Sequence, residues 1–145
     1  MKNYQKYTTQ ITLTILTSLF FLSQFSFAQK KKLWMAPAAA NELKNPFTGN
    51  ISSIEEGKRL FVSMCTVCHG VNGKGNGAAS VALDPHPANF LSLEVETESD
   101  GAIYWKLTEG NPPMAAYKTL LTDAQRWKLV LYIRNLELKF HEKKH

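Results

Sequence analysis

The chain has 145 residues, enough for one small domain, and 44% hydrophobic residues supply the apolar side chains of a core, which excludes wholesale disorder. The formal charge of +5 is weak ground for a nucleic-acid partner, because lysines at the two ends contribute much of it.

Residues 1–28 read as a secretory leader. Lys2 and Lys6 precede an apolar run over 11–21, which thins out toward Ser26, Phe27 and Ala28, a small-x-small cleavage site. Cleavage after Ala28 starts the mature chain at Gln29. An uncleaved anchor is the alternative, but the apolar run is short for a spanning helix. Export to the periplasm is the expectation, and membrane contact is expected only through the leader or a docked complex. An oxidising compartment does not leave thiols free by default.

Residues 29–52 read as an extended arm, with Pro37, Pro46 and Gly49 and no clean helical period. It could dock a partner or wrap its own domain. The domain proper is expected over 53–140, followed by a basic tail at 141–145. Its first helix should begin at Ser53, where Ser53 and Glu56 have the spacing of a capping box. Ile54, Phe61 and Met64 share its inward face. After Met64 comes Cys-Thr-Val-Cys-His at 65–69, then a loop with four glycines and two asparagines between Gly70 and Gly77. A second irregular stretch surrounds Pro85 and Pro87. Glu94, Glu96, Glu98 and Asp100 lead into a short helix over about 100–109, ended by Gly110, with Ile103, Tyr104 and Leu107 inward. A last helix starts at Thr122 with the box Thr122–Gln125 and runs to about Leu138, turning Leu129, Tyr132, Ile133 and Leu136 inward. No stretch alternates like a strand. Helices joined by loops this long imply that something other than polypeptide fills the middle.

Cys65 and Cys68 are the chain's only 2 cysteines, and His69 follows directly. A redox disulfide at this spacing comes with a βαβ pattern, which is missing. A zinc site needs about four ligands, whereas His86, His141 and His145 are scattered. Covalent haem attachment fits best: two thiols add across the two vinyl groups of one rigid macrocycle, and the adjacent histidine supplies an axial nitrogen.

From residue 53 to about 138 the chain resembles a class I, mitochondrial-type cytochrome c. The resemblance is carried by Gly57 and Phe61 at fixed distances before Cys65, Cys68 and His69, and by Leu129 and Tyr132 on the last helix. It implies an all-α cytochrome c fold of three to five helices with long loops around one covalently bound haem c. Gly57 would let the first and last helices approach closely, which also explains a glycine inside a helix. Further implications are Met114 as the sixth ligand and a proline carbonyl, of Pro87 or Pro85, as acceptor for the second nitrogen of His69. Asn89 and Phe90 would lie against the haem. Ala115 stands where the family often has proline. His86 is the rival to Met114, giving bis-histidine ligation. Trp105, Tyr104 and Tyr117 are candidates to wall the pocket or bond a propionate. With both axial positions filled, the expected function is one-electron transfer between redox protein partners (an oxidase, reductase or dehydrogenase), not catalysis. The alternatives are a haem subunit of a larger oxidoreductase complex and a haem protein with an open distal side.

Overall fold

The computed structural model describes residues 33–143, and its compact unit begins at Trp34. The expected leader, Lys30 to Lys32 and the last two residues of the tail lie outside the described residues. Five helices follow in chain order: α1 (Ile51–Met64), α2 (Thr66–His69), α3 (Leu93–Glu96), α4 (Asp100–Glu109) and α5 (Asp123–Glu142), with short 3-10 turns at Ala38–Glu42, Ser80–Ala82 and Tyr117–Thr119. There is no strand among the described residues, so the fold is all-α as the sequence implied.

The first and last helices cross, and the crossing is built on Gly57. A Cβ there would lie 2.0 Å from the Lys128 carbonyl oxygen and 3.0 Å from the Tyr132 Cβ, so only glycine lets the two backbones come this close. Phe61 packs across the crossing on Tyr132, ring centroids 5.2 Å apart. Phe61, Leu129, Val130 and Ile133 are the most deeply buried large side chains, and Ile103 and Leu107 of α4 join the same core. The inward faces expected for α1, α4 and α5 are those observed.

The helix starts differ in one instructive way. Thr122 and Gln125 form both halves of the expected capping box, Thr122 N donating to Gln125 Oε1 at 2.9 Å and Gln125 N to Thr122 Oγ1 at 3.3 Å. The expected box at Ser53 and Glu56 does not form. α1 begins two residues earlier, because Asn50 Oδ1 accepts from Ser53 N at 3.0 Å and so caps the helix. Ser53 is buried instead, and Glu56 reaches across the crossing to Lys128 Nζ, 2.5 Å away. α5 runs four residues beyond the expected Leu138, to Glu142; its last turn is held by His141, 2.9 Å from the Glu96 carboxylate of α3.

The arm, as far as it is described, wraps its own domain and contains a turn of 3-10 helix that its sequence did not signal. Ala40 packs so tightly on α4 that a Cβ on Gly101 would lie 1.8 Å from its carbonyl oxygen. Buried Asn45 donates through Nδ2 to the Trp127 carbonyl at 3.0 Å. Trp34 lies against Trp105 at 6.2 Å, and Lys128 sits over the Phe47 ring at 5.3 Å.

Candidate haem site

Cys65 caps the C-terminus of α1 and opens α2, so both cysteines and His69 belong to one short turn. The amides of Cys68 and His69 donate to the Cys65 carbonyl at 3.2 and 2.8 Å. Both thiols are free, Cys65 buried and Cys68 partly so. Burial pushes the Cys65 thiol up to about 12, with Cys68 adding in the same direction. A thiol held protonated is not the low-pKa thiolate of a redox dithiol. Among the described residues no three His, Cys, Asp or Glu side chains gather, so the zinc alternative lacks its ligand set.

His69 is 8% exposed. Its Nδ1 lies 3.0 Å from the Ala88 carbonyl oxygen, and burial lowers its pKa despite that bond. A neutral ring donating from Nδ1 carries its lone pair on Nε2, which has no hydrogen-bond partner among the described residues. The acceptor is therefore Ala88, not Pro85 or Pro87. The glycine-rich loop sets this register. Gly75 is packed so closely that a Cβ would lie 2.4 Å from the Pro87 carbonyl oxygen, and Phe90 N donates to the Gly73 carbonyl at 2.8 Å. Both glycines have positive φ, 71° at Gly73 and 75° at Gly75, a backbone region that favours glycine.

Phe90 is buried and stacks on His69, ring centroids 4.4 Å apart and 16° from parallel. Asn89 is exposed, and its Oδ1 accepts from Leu91 N at 3.0 Å, so it shapes the turn that follows Ala88. His86 is also exposed, its Nδ1 3.2 Å from the neighbouring Pro87 carbonyl.

Met114 is half-buried and packs on the core cluster that holds Phe61, Cys65 and Phe90. It closes a tight turn with Asn111: Met114 N donates to the Asn111 carbonyl at 2.8 Å, and Asn111 N to the Met114 carbonyl at 3.1 Å. The loop is folded so closely over Gly110 that a Cβ there would lie 2.5 Å from Ala116 N. Three residues on, half-buried Tyr117 places its hydroxyl 3.5 Å from the Met64 carbonyl. Burial, then the neighbouring Cys65 and Cys68, raises its pKa, so this ring walls the cysteine side.

The other two aromatic candidates are engaged elsewhere. Tyr104 stacks on Trp127 at 4.0 Å and accepts from Arg126 Nη2 at 3.0 Å, while Trp105 meets Trp34. Arg126 was missed from the sequence. It is 4% exposed, donates from Nη1 to the Leu121 carbonyl at 2.6 Å, and leaves its buried Nε without a partner. Its only sequence signal is a cation beside the apolar residues that begin α5.

Two free thiols on one turn, a neutral histidine with an unclaimed Nε2 and a thioether on the same core make a donor set that fits a covalently attached haem. Together with the all-α fold they define a c-type haem protein. The chain belongs to the cytochrome c family, whose model, described as Cytochrome c, matches residues 54–137. That family binds haem c covalently and transfers electrons. Among solved structures the chain is similar to a chain of the reducing HAO-like protein complex of Kuenenia stuttgartiensis. Identity is 25% and the TM-score 0.54, covering 65% of this chain and 46% of that one. The present chain thus spans less than half the length of that protein. No curated protein matches significantly.

Proposed function

We propose that the protein is an exported mono-haem cytochrome c that carries one electron at a time between redox proteins. The carrying observation is His69: Ala88 holds Nδ1 and leaves Nε2 as the only ring atom able to ligate. Cys65 and Cys68 would hold the macrocycle as thioethers, and Met114 would supply the second axial atom. When bound, haem supplies the Fe(III)/Fe(II) couple. The chain does the rest. Ala88 orients the imidazole and Phe90 fixes its plane. Phe61, Leu129 and Ile133 exclude water, and the Asn111–Met114 turn keeps the thioether from swinging away. Two protein ligands leave no room for substrate, which supports a carrier rather than an enzyme. The single Cys-x-x-Cys-His motif supports one haem, and the leader-like N-terminus supports export to the periplasm. Among the described residues no helix is long and apolar enough to cross a membrane.

A second reading is a permanent subunit of a larger oxidoreductase, favoured by the likeness to a chain from a protein complex. Purification from the native membrane and periplasmic fractions separates the two: a carrier runs alone, a subunit co-elutes with its enzyme. For either, the purified chain should keep a haem-specific stain through denaturing electrophoresis, and Cys65→Ala with Cys68→Ala should lose it. A wild-type chain that is folded but colourless would end both readings.

A further inference from the structure

The loop after His69 holds two Asn-Gly steps, Asn72–Gly73 and Asn76–Gly77, which electron transfer does not use. Gly73, Gly75 and Gly77 are buried, whereas Asn72, Lys74 and Asn76 between them are exposed to water. Asn-Gly is the pair in which a backbone nitrogen most readily attacks the preceding side chain. No Cβ hinders the glycine nitrogen, and its backbone reaches conformations closed to other residues.

The two steps are held differently. Gly77 N is the middle of three successive bonds that close the last turn of α2. Gly75 N donates to the His69 carbonyl at 2.9 Å, Gly77 N to that of Cys68 at 3.0 Å and Ala79 N to that of Val67 at 2.9 Å. These are carbonyls that a helix leaves without partners at its C-terminus. Gly77 is also wedged against the helix: a Cβ there would lie 2.4 Å from the Val67 carbonyl oxygen and 2.5 Å from that of Thr66. Its nitrogen cannot leave Cys68 unless the flanking bonds open as well. Gly73 N closes a single tight turn on the Gly70 carbonyl at 3.0 Å, and the long-range bond of that residue is made by its carbonyl, not its nitrogen. A Cβ on Gly73 would meet only side chains, Leu136 and Phe90 at 3.1 Å.

We infer that Asn76 is a modification site gated by folding. It is closed while the loop is seated on α2, converts to isoaspartate in a chain whose loop has come away, and then prevents the loop from being seated again. In the open chain the Gly77 nitrogen gives up its proton and attacks the Asn76 Cγ. The N–Cγ bond forms, the Cγ–Nδ2 bond breaks and ammonia leaves, giving a cyclic imide. Water then opens the imide. Cleavage at the backbone carbonyl leaves isoaspartate, and cleavage at Cγ leaves aspartate. Nothing is oxidised or reduced. Isoaspartate adds one carbon to the main chain between Gly75 and Gly77, whose spacing the bonds to His69 and Cys68 fix, so the two bonds cannot both be remade. Asn72, behind one turn bond, is guarded less.

The test incubates the holoprotein at mildly alkaline pH, native and in urea, with circular dichroism establishing that the native sample is folded. Isoaspartate is labelled by enzymatic methylation and located by peptide mass mapping. Conversion at Asn76 should be slower in the native protein than in urea by at least about tenfold, because the reaction needs local opening. Protection at Asn72 should be weaker than at Asn76. Asn76→Gln, whose longer side chain does not close the favoured ring, should fold like wild type and carry no label at position 76 in urea. After urea is removed, the compact fraction from gel filtration should be depleted of isoaspartate at position 76. Equal rates at Asn76 in the two states, stronger protection at Asn72 than at Asn76, or chains with isoaspartate at position 76 that refold like the rest would each overturn the inference.

Discussion

Replacing Gly57 by alanine sets two effects of opposite sign against each other. On helix propensity alone the change should stabilise α1 by about 1 kcal/mol. The crossing says otherwise. The new Cβ would lie 2.0 Å from the Lys128 carbonyl oxygen and 2.7 Å from its carbon, whereas a carbon–oxygen contact settles near ~3.3 Å. Both obstacles are backbone, so no side chain can rotate away, and α1 and α5 must part by roughly 1 Å. A gap of that size forfeits about a quarter to a half of each dispersion contact across it, and those contacts belong to Phe61, Leu129, Tyr132 and Ile133. Overpacking of this kind costs about 1–3 kcal/mol or more, and the lost contacts place this site at the upper end. After the propensity gain, a net loss of about 2 kcal/mol remains, a drop on the order of 10 °C in melting temperature for a domain of this size. Thermal unfolding of the holoprotein followed by circular dichroism measures it. Ser63→Ala, on the exposed face of the same helix, is the control and should stay within about 0.5 kcal/mol. If Gly57→Ala melts at or above wild type, the close approach of the two helices is wrong.

The arm should contribute to stability through Asn45: Asn45→Ala removes the buried bonds to the Trp127 carbonyl and the Phe47 amide. It should cost about 1–3 kcal/mol, seen as a lower melting temperature and faster proteolysis between Trp34 and Asn50; an unchanged cleavage rate would show that the arm is held by other contacts. Met114→Ala should open the distal side, so that the reduced holoprotein binds carbon monoxide quickly in a stopped-flow trace. His86→Ala should not, and the reverse pattern would make the site bis-histidine. Burial holds the Glu137 carboxyl above the usual carboxylate range, against the opposing pull of Arg134. A raised carboxyl stabilises the fold in full below its unfolded pKa, and that contribution is lost as pH rises through the folded value. Glu137→Gln removes the loss, so the melting temperature of the variant minus that of wild type should rise from about pH 4 to about pH 7; a difference that falls over this range contradicts the burial of Glu137.

What was legible in the sequence depended on the distance between partners. The Thr122–Gln125 box joins groups one turn apart and could be read directly. The same signature at Ser53 and Glu56 misled, because two distant or competing partners outbid it. Asn50 takes the Ser53 amide, and Lys128 takes the Glu56 carboxylate from 72 residues away. The turn that brings Cys65, Cys68 and His69 together is local and was readable. The acceptor for His69 is 19 residues on, at Ala88, and was placed one or three residues early, at Pro87 or Pro85, because the packing of Gly73 and Gly75 sets the register of an irregular loop. Asn89 shows a related local effect: a side chain that can bond its own backbone does so in a turn, as its bond from Leu91 N does.

The two helix glycines make the same point more sharply. Gly57 and Gly101 both admit a carbonyl oxygen closer than any Cβ would allow, 2.0 Å at one and 1.8 Å at the other. Gly57 sits in the second turn of α1, where glycine weakens a helix without local benefit, so its presence demanded a packing reason. Gly101 sits one residue inside α4, where its cost is small and its meaning invisible. Yet it is what seats Ala40, and with it the arm, against the helix that carries Ile103 and Leu107 into the core. A glycine therefore reports a close approach in proportion to what it costs locally. The arm's attachment was hidden because its glycine stands where it costs least.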